Sequence, residues 1–230
     1  IIRYPIALAA LSAPSFGMQV QALVAHYPLD ETGGVEALDA TGNGCPGTYQ
    51  PGTSQGQPGA SSGTGLSARF DPQQSGVVTI PGELTMWHLR NNLSLAAWIR
   101  PEGDGPTGVM RIFGNDNGGW SCARTTDGLR FSLRFIQDFV VDCDVPEDEW
   151  SHVAFTFDGL NDVTFYVNGV SVGQGFGLFP SNVPNPTWRI GSLNDTDDFF
   201  EGCIDDVQLY KGVLTASEVG FLYGNPGATI

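Results

Sequence analysis

Residues 149–173 decide the fold, and they read Glu-Trp-Ser-His-Val-Ala-Phe-Thr-Phe-Asp-Gly-Leu-Asn-Asp-Val-Thr-Phe-Tyr-Val-Asn-Gly-Val-Ser-Val-Gly. Apolar and polar residues alternate in three short runs: 153–157, 163–167 and 170–172. This alternation is typical of strands with one buried face. Asn168-Gly169 is the strongest short hairpin signal, because a type I′ turn needs two positive φ angles. The stretch therefore predicts a three-stranded antiparallel meander, which needs a second layer to cover it.

Composition extends this prediction to the whole chain. The 230 residues suffice for one large all-β domain with a core, and the 31 glycines and 15 prolines indicate many turns. The formal net charge is −15. Such a surface repels nucleic acid and anionic membrane, so both are disfavoured as partners.

The first 22 residues differ from the rest of the chain. Arg3 precedes an apolar run at 5–11, and Val20-Gln21-Ala22 fits a small-x-small cleavage rule. This pattern predicts a secretory signal peptide that has lost its starting Met. Its apolar run is too short to span a bilayer. We therefore expect one mature domain over 23–230, secreted or displayed at the cell surface.

Further elements follow from the same local signals. Strands are predicted from Leu23, around Trp98 and Trp188, and at about 108–113, 119–124, 128–135 and 138–143. Residues 51–64 are rich in Gly, Ser, Pro and Gln and predict a mobile loop, and 84–89 predict a short helical turn. Thr215 and Glu218 form a capping-box pattern that predicts a helix to about Tyr223.

The central stretch also carries a resemblance to a known family. Trp150-Ser-His-Val-Ala-Phe-Thr-Phe-Asp-Gly, followed by Phe165-Tyr-Val-Asn-Gly, resembles the signature of laminin-G-like, concanavalin A-like jelly-roll domains. Similar blocks occur in the family's order over almost all of 23–223, ending with Phe199-Phe-Glu-Gly-Cys-Ile-Asp-Asp-Val-Gln-Leu-Tyr. The resemblance implies an all-β jelly-roll sandwich of two antiparallel sheets with a short C-terminal helix.

The resemblance further implies a structural calcium ion between the first strand, an early loop and the closing strand. The matching positions are Asp30 (or Glu31), Asp39, Asn43 and Asp205, with backbone carbonyls near Gly42. Calcium takes six to eight oxygen ligands, so a few carboxylates plus carbonyls suffice. The alternative is that Asp39 and Asn43 merely cap a turn and that Asp205 pairs with an amide. The acidic run 194–198 is a second, weaker cation candidate, which a solvated loop explains better.

Four cysteines fit an exported protein with two disulfides. Three pairings are possible, and we expect Cys122–Cys143, because both residues fall on neighbouring predicted strands. That choice leaves Cys45–Cys203. A metal site on the cysteines is disfavoured, because the chain has no Cys-x-x-Cys motif.

Glycan recognition would need aromatic platforms and planar polar side chains. The candidate ligand-binding residues are Trp120 and Trp188 as platforms, with Arg111, Asn115 and Arg134 as hydrogen-bonding groups. Further candidates are Trp87, Phe139, Phe199, Phe200 and Asn117.

Catalysis is the competing class, because glycanases of this superfamily use paired carboxylates. The nearest run, Glu147-Asp148-Glu149, directly precedes the central meander and reads as an acidic turn. We therefore expect a non-catalytic extracellular module that binds a glycan, an extracellular polysaccharide or a surface protein. The alternatives are a polysaccharide-cleaving enzyme and a structural or protein-binding domain of a larger surface protein.

Overall fold

The computed structural model describes residues 22–81, 92–115, 119–160, 162–177, 187–194 and 196–230. Residues 1–21 of the predicted signal peptide and the helical turn predicted at 84–89 lie outside these ranges. No helix within the described ranges is long and apolar enough to cross a membrane.

Sixteen strands in the described residues form two antiparallel sheets, as the jelly-roll prediction requires. Sheet A runs in the order β14 (Val170–Phe176), β13 (Asp162–Val167), β12 (Ser151–Phe157), β7 (Leu93–Pro101), β16 (Gly202–Lys211), β5 (Leu66–Phe70) and β4 (Thr53–Pro58), and β1 (Ala22–Tyr27) also pairs with β16. Sheet B runs in the order β11 (Gln137–Asp142), β10 (Gly128–Leu133), β9 (Trp120–Thr125), β8 (Val109–Gly114), β15 (Thr187–Ile190), β6 (Val78–Pro81), β3 (Gly47–Tyr49) and β2 (Glu36–Ala37). A 3-10 turn spans Pro72–Gln74, and the helix α1 spans Ala216–Gly224.

The predicted meander is confirmed as β12, β13 and β14. Asn168 and Gly169 have φ angles of 49° and 78°, the two positive values that the predicted turn requires. Phe155 lies opposite Phe165 on the core face, and their rings meet edge to face at 5.6 Å. A Cβ at Gly169 would lie 3.0 Å from the Tyr223 ring, so the turn also packs against α1.

The loop predicted at 51–64 is corrected by the structure, because its first part is the edge strand β4. Its residues Thr53–Pro58 alternate between half-buried and exposed, and they pair with β5. An edge strand needs no apolar face when a single neighbour supplies its hydrogen bonds. Polar, glycine-rich composition therefore concealed a strand here.

The main core lies between the sheets and takes alternate residues from each strand. A second apolar cluster lies on the opposite, outer face of sheet A, beneath α1, and consists of Ala96, Ala154, Tyr166, Tyr210, Leu214, Val219 and Leu222. Trp98 lies beside it, with ring centroids 5.2 Å from His152 and 5.8 Å from Tyr223. The helix thus covers part of sheet A that would otherwise expose aromatic rings.

The C-terminal residues continue this cover over sheet A. Gln208 donates to the Ala228 carbonyl at 2.9 Å, and the Tyr210 hydroxyl accepts from the Ile230 amide at 3.2 Å. Asp206 lies at a bulge in β16 with a φ of 51°, and it accepts from Gly227 and pairs with His26 Nε2 at 2.6 Å. The helix and the tail therefore cover the part of the outer face of sheet A that carries Asp206, Gln208 and Tyr210.

The structure contains neither predicted disulfide, because all four cysteines are free thiols. Strand register corrects the Cys122–Cys143 pairing: Cys122 lies opposite Phe131, which lies opposite Phe139, whereas Cys143 follows the far end of β11. Two strand spacings and four residues separate the two cysteines, about 10 Å across and about 13 Å along the sheet. A disulfide requires Cα atoms within about 7 Å.

The structure does not support the second predicted disulfide, Cys45–Cys203, either. Cys203 faces the outer side of sheet A, where its sulfur lies 3.4 Å from Arg100 Nη2. Cys45 lies instead beside Tyr27, whose hydroxyl donates to the Cys45 carbonyl and whose ring belongs to the inter-sheet core. The structure therefore does not bring Cys45 and Cys203 together.

Candidate ligand-binding face

The outer face of sheet B carries polar and cationic side chains. Along β10, Leu129, Phe131 and Leu133 point into the core, so Arg130 and Ser132 point outward. The same alternation places Ser121 of β9 and Asp138 of β11 outward beside Ser132. Together with Arg111 of β8 and Arg134 of the β10–β11 turn, these residues form what we name the arginine face: Arg111, Ser121, Arg130, Ser132, Arg134 and Asp138.

Arg111 is the buried centre of the arginine face, with 3% of its surface exposed. Its Nη1 donates to the hydroxyls of Ser121 at 2.9 Å and Ser132 at 3.1 Å, and its Nε pairs with Asp198 at 3.1 Å. Burial lowers the pKa of the Arg111 guanidinium, and the nearby positive charges of Arg130 and Arg134 lower it further, against the opposing effect of Asp198. The positive groups of this face are therefore close enough to interact.

Arg130 and Arg134 form the accessible side of the arginine face. Arg130 Nη1 lies 3.6 Å from Asp138, with about a quarter of its side chain exposed. Arg134 makes no ion pair with any carboxylate of the described residues. Its guanidinium carbon lies 5.2 Å from the centre of the Phe135 ring, a cation–π contact that holds the two side chains together.

Phe135 is an exposed aromatic residue in a strained position. Its surface is 83% exposed, and its φ of 65° lies in the left-handed region, which bulky residues rarely adopt. The turn leaves a shallow cavity of about 310 Å³, lined by Leu133, Arg134, Phe135, Ile136, Gln137 and Asp138. Backbone strain combined with an exposed ring is a common mark of a binding site.

The basic residues are segregated within an acidic protein. Sheet B and its β10–β11 turn contain half of the chain's ten Lys and Arg residues, namely Arg111, Arg124, Arg130, Arg134 and Arg189. The formal net charge of −15 belongs to the whole chain, whereas half of its basic residues lie on this one sheet and its turn.

The predicted platforms Trp120 and Trp188 lie underneath this face. Both are completely buried, with centroids 5.0 Å apart, and Trp188 stacks on Phe113 at 5.4 Å. They are core residues, because their strand parity points them inward. Phe139, Phe199 and Phe200 are likewise buried, whereas Trp87 and Asn117 lie outside the described residues.

Of the predicted polar groups, the structure brings Arg111 and Arg134 to one face and gives Asn115 a supporting position. Asn115 is completely buried, and its Nδ2 donates to the Thr187 carbonyl at 3.0 Å. It therefore joins the end of β8 to the start of β15.

Sequence reasoning missed Ser121, Arg130, Ser132 and Phe135, and it considered Asp198 only as part of the second cation candidate. Part of the signal was present, because Arg130-x-Ser-x-Arg134 has period two and complements the apolar residues between them. The partner of Arg111 could not be read from the sequence, because Asp198 is 87 residues away and belongs to a loop.

The acidic run at 147–149 forms a turn, as predicted. Glu147 lies 3.8 Å from Arg124, which also donates to Asp104 and to the Gly103 carbonyl at 3.2 Å. A cavity of about 520 Å³ opens beside Arg124 and is lined mainly by acidic and small residues. Because this arginine is already paired, the larger cavity offers a ligand fewer donors than the arginine face does.

Asp30 and Asp205, two of the predicted calcium ligands, are neighbours. Asp205 is completely buried; its Oδ2 accepts from the Ala60 amide at 2.8 Å, and its Oδ1 has no hydrogen-bond partner. Burial raises the pKa of Asp205 to about 7; the Asp206 and Asp30 carboxylates add to this rise, whereas hydrogen bonds from Ala60 and Thr64 oppose it. Asp30 accepts from the Leu66 amide at 2.6 Å.

Asp39 and Asn43 do not join that pair. Asp39 Oδ1 accepts from the amides of His26 and Thr41, each at 3.1 Å, and Asn43 donates to the Val24 carbonyl at 2.9 Å. Glu31 is held by the Leu38 amide and the Tyr49 hydroxyl. The described residues contain no group of three or more His, Cys, Asp or Glu placed to hold a metal.

The second cation candidate, residues 194–198, is mostly satisfied internally. Asn194 Oδ1 accepts from the amides of Thr196 and Asp197 at 2.8 and 2.7 Å, and Asp198 pairs with Arg111. Asp195 lies outside the described residues.

Comparison with known families gives one match. A model of the concanavalin A-like lectin/glucanases superfamily matches residues 72–220. No curated protein matches the sequence significantly.

Several solved structures share the fold. Domain 4 of AbnA, a GH43 extracellular arabinanase from Geobacillus stearothermophilus, solved in complex with arabinotriose, has a TM-score of 0.68 and 24% identity over 88% of this chain and 98% of that one. The binding domain of Paraclostridial Mosquitocidal Protein 1 has a TM-score of 0.70 and 18% identity over 87% of this chain and 51% of that one. The binding domain of Botulinum neurotoxin DC, in complex with SialylT, has a TM-score of 0.63 and 15% identity over 85% and 52%. The chain thus spans about half the length of these toxin domains, and all three likenesses concern the fold.

Proposed function

Because the chain belongs to the concanavalin A-like lectin/glucanases superfamily, we propose that it is a non-catalytic extracellular module that binds an oligosaccharide through the arginine face. The observation that carries the proposal is the combination of a buried, hydroxyl-bonded Arg111 with accessible Arg130 and Arg134 beside an exposed aromatic ring. Planar guanidinium donors beside an aromatic platform are suited to sugar hydroxyls and ring faces.

The similar structures support the choice of ligand class. Domain 4 of AbnA, of which this chain covers 98%, is described in complex with arabinotriose, and the binding domain of Botulinum neurotoxin DC, of which it covers 52%, in complex with SialylT. The binding role is preferred to catalysis because Asp138 and Asp198, the carboxylates beside Arg111 and Arg130, both face arginines. A glycanase instead needs a carboxylate pair in which one group stays protonated.

The test is binding of residues 22–230 to a broad glycan panel, with product analysis of every incubated polysaccharide. We expect saturable binding to at least one oligosaccharide and intact polymer afterwards. Shortened polymer would replace the proposal with a glycan-cleaving function. Absence of both binding and cleavage across the panel would overturn it and would favour a structural or protein-binding domain.

We also propose that calcium binds at Asp30 and Asp205. The supporting observation is the Asp205 Oδ1 atom, which is buried without a hydrogen-bond partner in the described structure. A cation would satisfy this oxygen and relieve the repulsion between the two carboxylates. Gly59 and Gly65 line the same place, and a Cβ at either would approach the Asp205 or Asp30 oxygens within 2.8 and 2.4 Å.

Removal of calcium should lower the melting temperature, because an ion that binds the folded state alone stabilises it by mass action. We expect a chelator to lower Tm by several degrees, consistent with about 1–2 kcal/mol for a domain of this size. Asp205→Asn should abolish the effect of the chelator. Asp39→Asn is the matched control and should retain the effect. The same chelator response in Asp205→Asn and in wild type would exclude this site.

A further inference from the structure

The accessible half of the arginine face contains one cation without a matching anion. Arg134 has no ion pair among the described residues, and Arg130 has one partner at 3.6 Å. In a chain with 25 acidic and 10 basic residues, carboxylates are abundant, so a half-buried guanidinium left without one is unexpected. Its position stays available for an external anion.

The neighbouring ring adds a second recognition element. One face of Phe135 meets the Arg134 guanidinium at 5.2 Å, and with 83% exposure the ring retains a free surface toward solvent. An exposed aromatic face takes the apolar face of a sugar ring, while a guanidinium fork takes a carboxylate by two parallel hydrogen bonds. The adjoining cavity of about 310 Å³ is at the lower end of the range for small-molecule sites.

We propose that the β10–β11 turn, through Arg134 and Phe135 with Arg130 beside them, binds a carboxylate-bearing sugar residue of an acidic oligosaccharide. This inference rests on the proposed function and specifies its ligand class. The overall negative charge does not prevent such binding, because at physiological ionic strength charges more than about 8 Å away are largely screened. A short oligosaccharide therefore interacts with the local cations, whereas a long polyanion would meet the acidic surface around them.

The experiment compares matched acidic and neutral ligands by isothermal titration calorimetry. The probes are oligogalacturonate and the same oligomer with its carboxylates methyl-esterified, and in parallel sialyllactose and lactose. We expect at least one acidic member to bind on the order of tenfold more tightly than its neutral counterpart, as a lost charge-assisted hydrogen bond implies. Equal or tighter binding of the neutral members would overturn the acidic class while leaving glycan binding intact. No binding by any saccharide, here or in the broader panel, would overturn both proposals.

Three variants of the turn and one control on sheet A assign the interaction to the turn. Arg134→Gln and Phe135→Ala should each weaken binding of the acidic ligand by about tenfold. Lys211→Gln is the control, because it removes one positive charge from an exposed position on sheet A and should leave the affinity unchanged. Arg134→Lys separates charge from geometry and should recover part of the affinity, since lysine retains the charge without the planar fork. Equal losses in Arg134→Gln and Lys211→Gln would reduce the effect to net charge and refute the assignment.

Discussion

Phe135 stores strain at the tip of the arginine face. With a φ of 65°, its Cβ crowds the backbone in a conformation that costs roughly 1–2 kcal/mol for a residue other than glycine. The ring is exposed, so the cation–π contact with Arg134 is the contact that offsets part of that cost. A bulky side chain at such a position points to a purpose outside folding.

Phe135→Gly should therefore stabilise the protein relative to Phe135→Ala by about 1 kcal/mol, because glycine alone removes the steric cost. Urea denaturation of the two variants measures the difference. Both substitutions remove the ring, so both should lose affinity for the acidic ligand. Equal stability of the two variants would show that the turn is not strained.

His152 couples stability to pH. Its ring lies 5.2 Å from Trp98 under α1, and burial lowers its pKa to about 4, against the opposing effect of Asp206. Between pH 6.5 and 4 the unfolded chain binds a proton at this position and the folded chain does not. Stability from this group is therefore complete above pH 6.5 and is lost as the pH falls toward 4, by about 3 kcal/mol in total.

His152→Gln removes this titration. As the pH falls from 7.5 to 4, we expect the unfolding free energy of the wild type to fall by about 3 kcal/mol more than that of His152→Gln. Comparing two proteins cancels the other titrating groups, including Asp205, whose raised pKa acts in the opposite direction. A difference that stays constant with pH would mean that His152 has the same pKa in the folded and unfolded states.

For single residues, the sequence indicated which side-chain types could contact a ligand, but not which face of the sheet each side chain occupies. Arg111 and Arg134 were selected as hydrogen-bonding groups and lie on the outer face of sheet B, whereas Trp120 and Trp188 were selected for their ring type and point inward. Strand parity around each tryptophan determines its direction, and the core face of β9 becomes clear when Cys122 and Trp120 are read together. Pairing of Arg111 with Asp198 required the folded loop, because it joins distant parts of the chain.

Among the elements, α1 depends on its N-terminal cap. Thr215 accepts from the Glu218 amide, and the Glu218 carboxylate accepts from the Thr215 amide at 2.6 Å, as the sequence predicted. Thr215→Ala should destabilise the protein by about 1 kcal/mol in urea denaturation. Thr215→Ser retains the hydroxyl and should stay near wild type. An unchanged Thr215→Ala variant would show that packing of α1 on sheet A holds the helix without its cap.

Elements with clear periodicity were predicted well. The strands expected at about 108–113 and 119–124 appear at Val109–Gly114 and Trp120–Thr125, because alternation with a buried face is visible in one dimension. Strand β4 was missed, because its pairing with β5 supplies its stability and leaves no apolar pattern. Sequence periodicity reports burial, and an edge strand with little burial leaves little trace of itself.

For the molecule as a whole, the family blocks predicted two sheets and a C-terminal helix. The positions of the cysteines in the sequence, by contrast, led to two disulfides that the structure does not contain. The disulfide prediction assumed that neighbouring strands bring their cysteines together, but register decides which residues face each other. Register depends on turns and on core packing across the sheet, and the positions of the cysteines in the sequence determine neither of these.

The two outer faces of the sandwich should behave independently. Deleting residues 226–230 removes the hydrogen bonds of the tail to Asp206, Gln208 and Tyr210, and should lower stability by about 2–3 kcal/mol. Affinity for the glycan should not change, because the arginine face belongs to the other sheet. Unfolding and calorimetry on the same deletion variant measure both quantities. A loss of affinity at full folding would mean that the two faces are coupled.

The position of the described chain ends on sheet A has a practical consequence for immobilising the protein. Ile230 bonds to Tyr210, and Ala22 pairs with Lys211, so both described ends of the chain lie on sheet A. Immobilisation on a sensor chip or a bead through either of these ends would attach the protein on its sheet A side. The β10–β11 turn belongs to the other sheet and would then stay accessible to a ligand in solution.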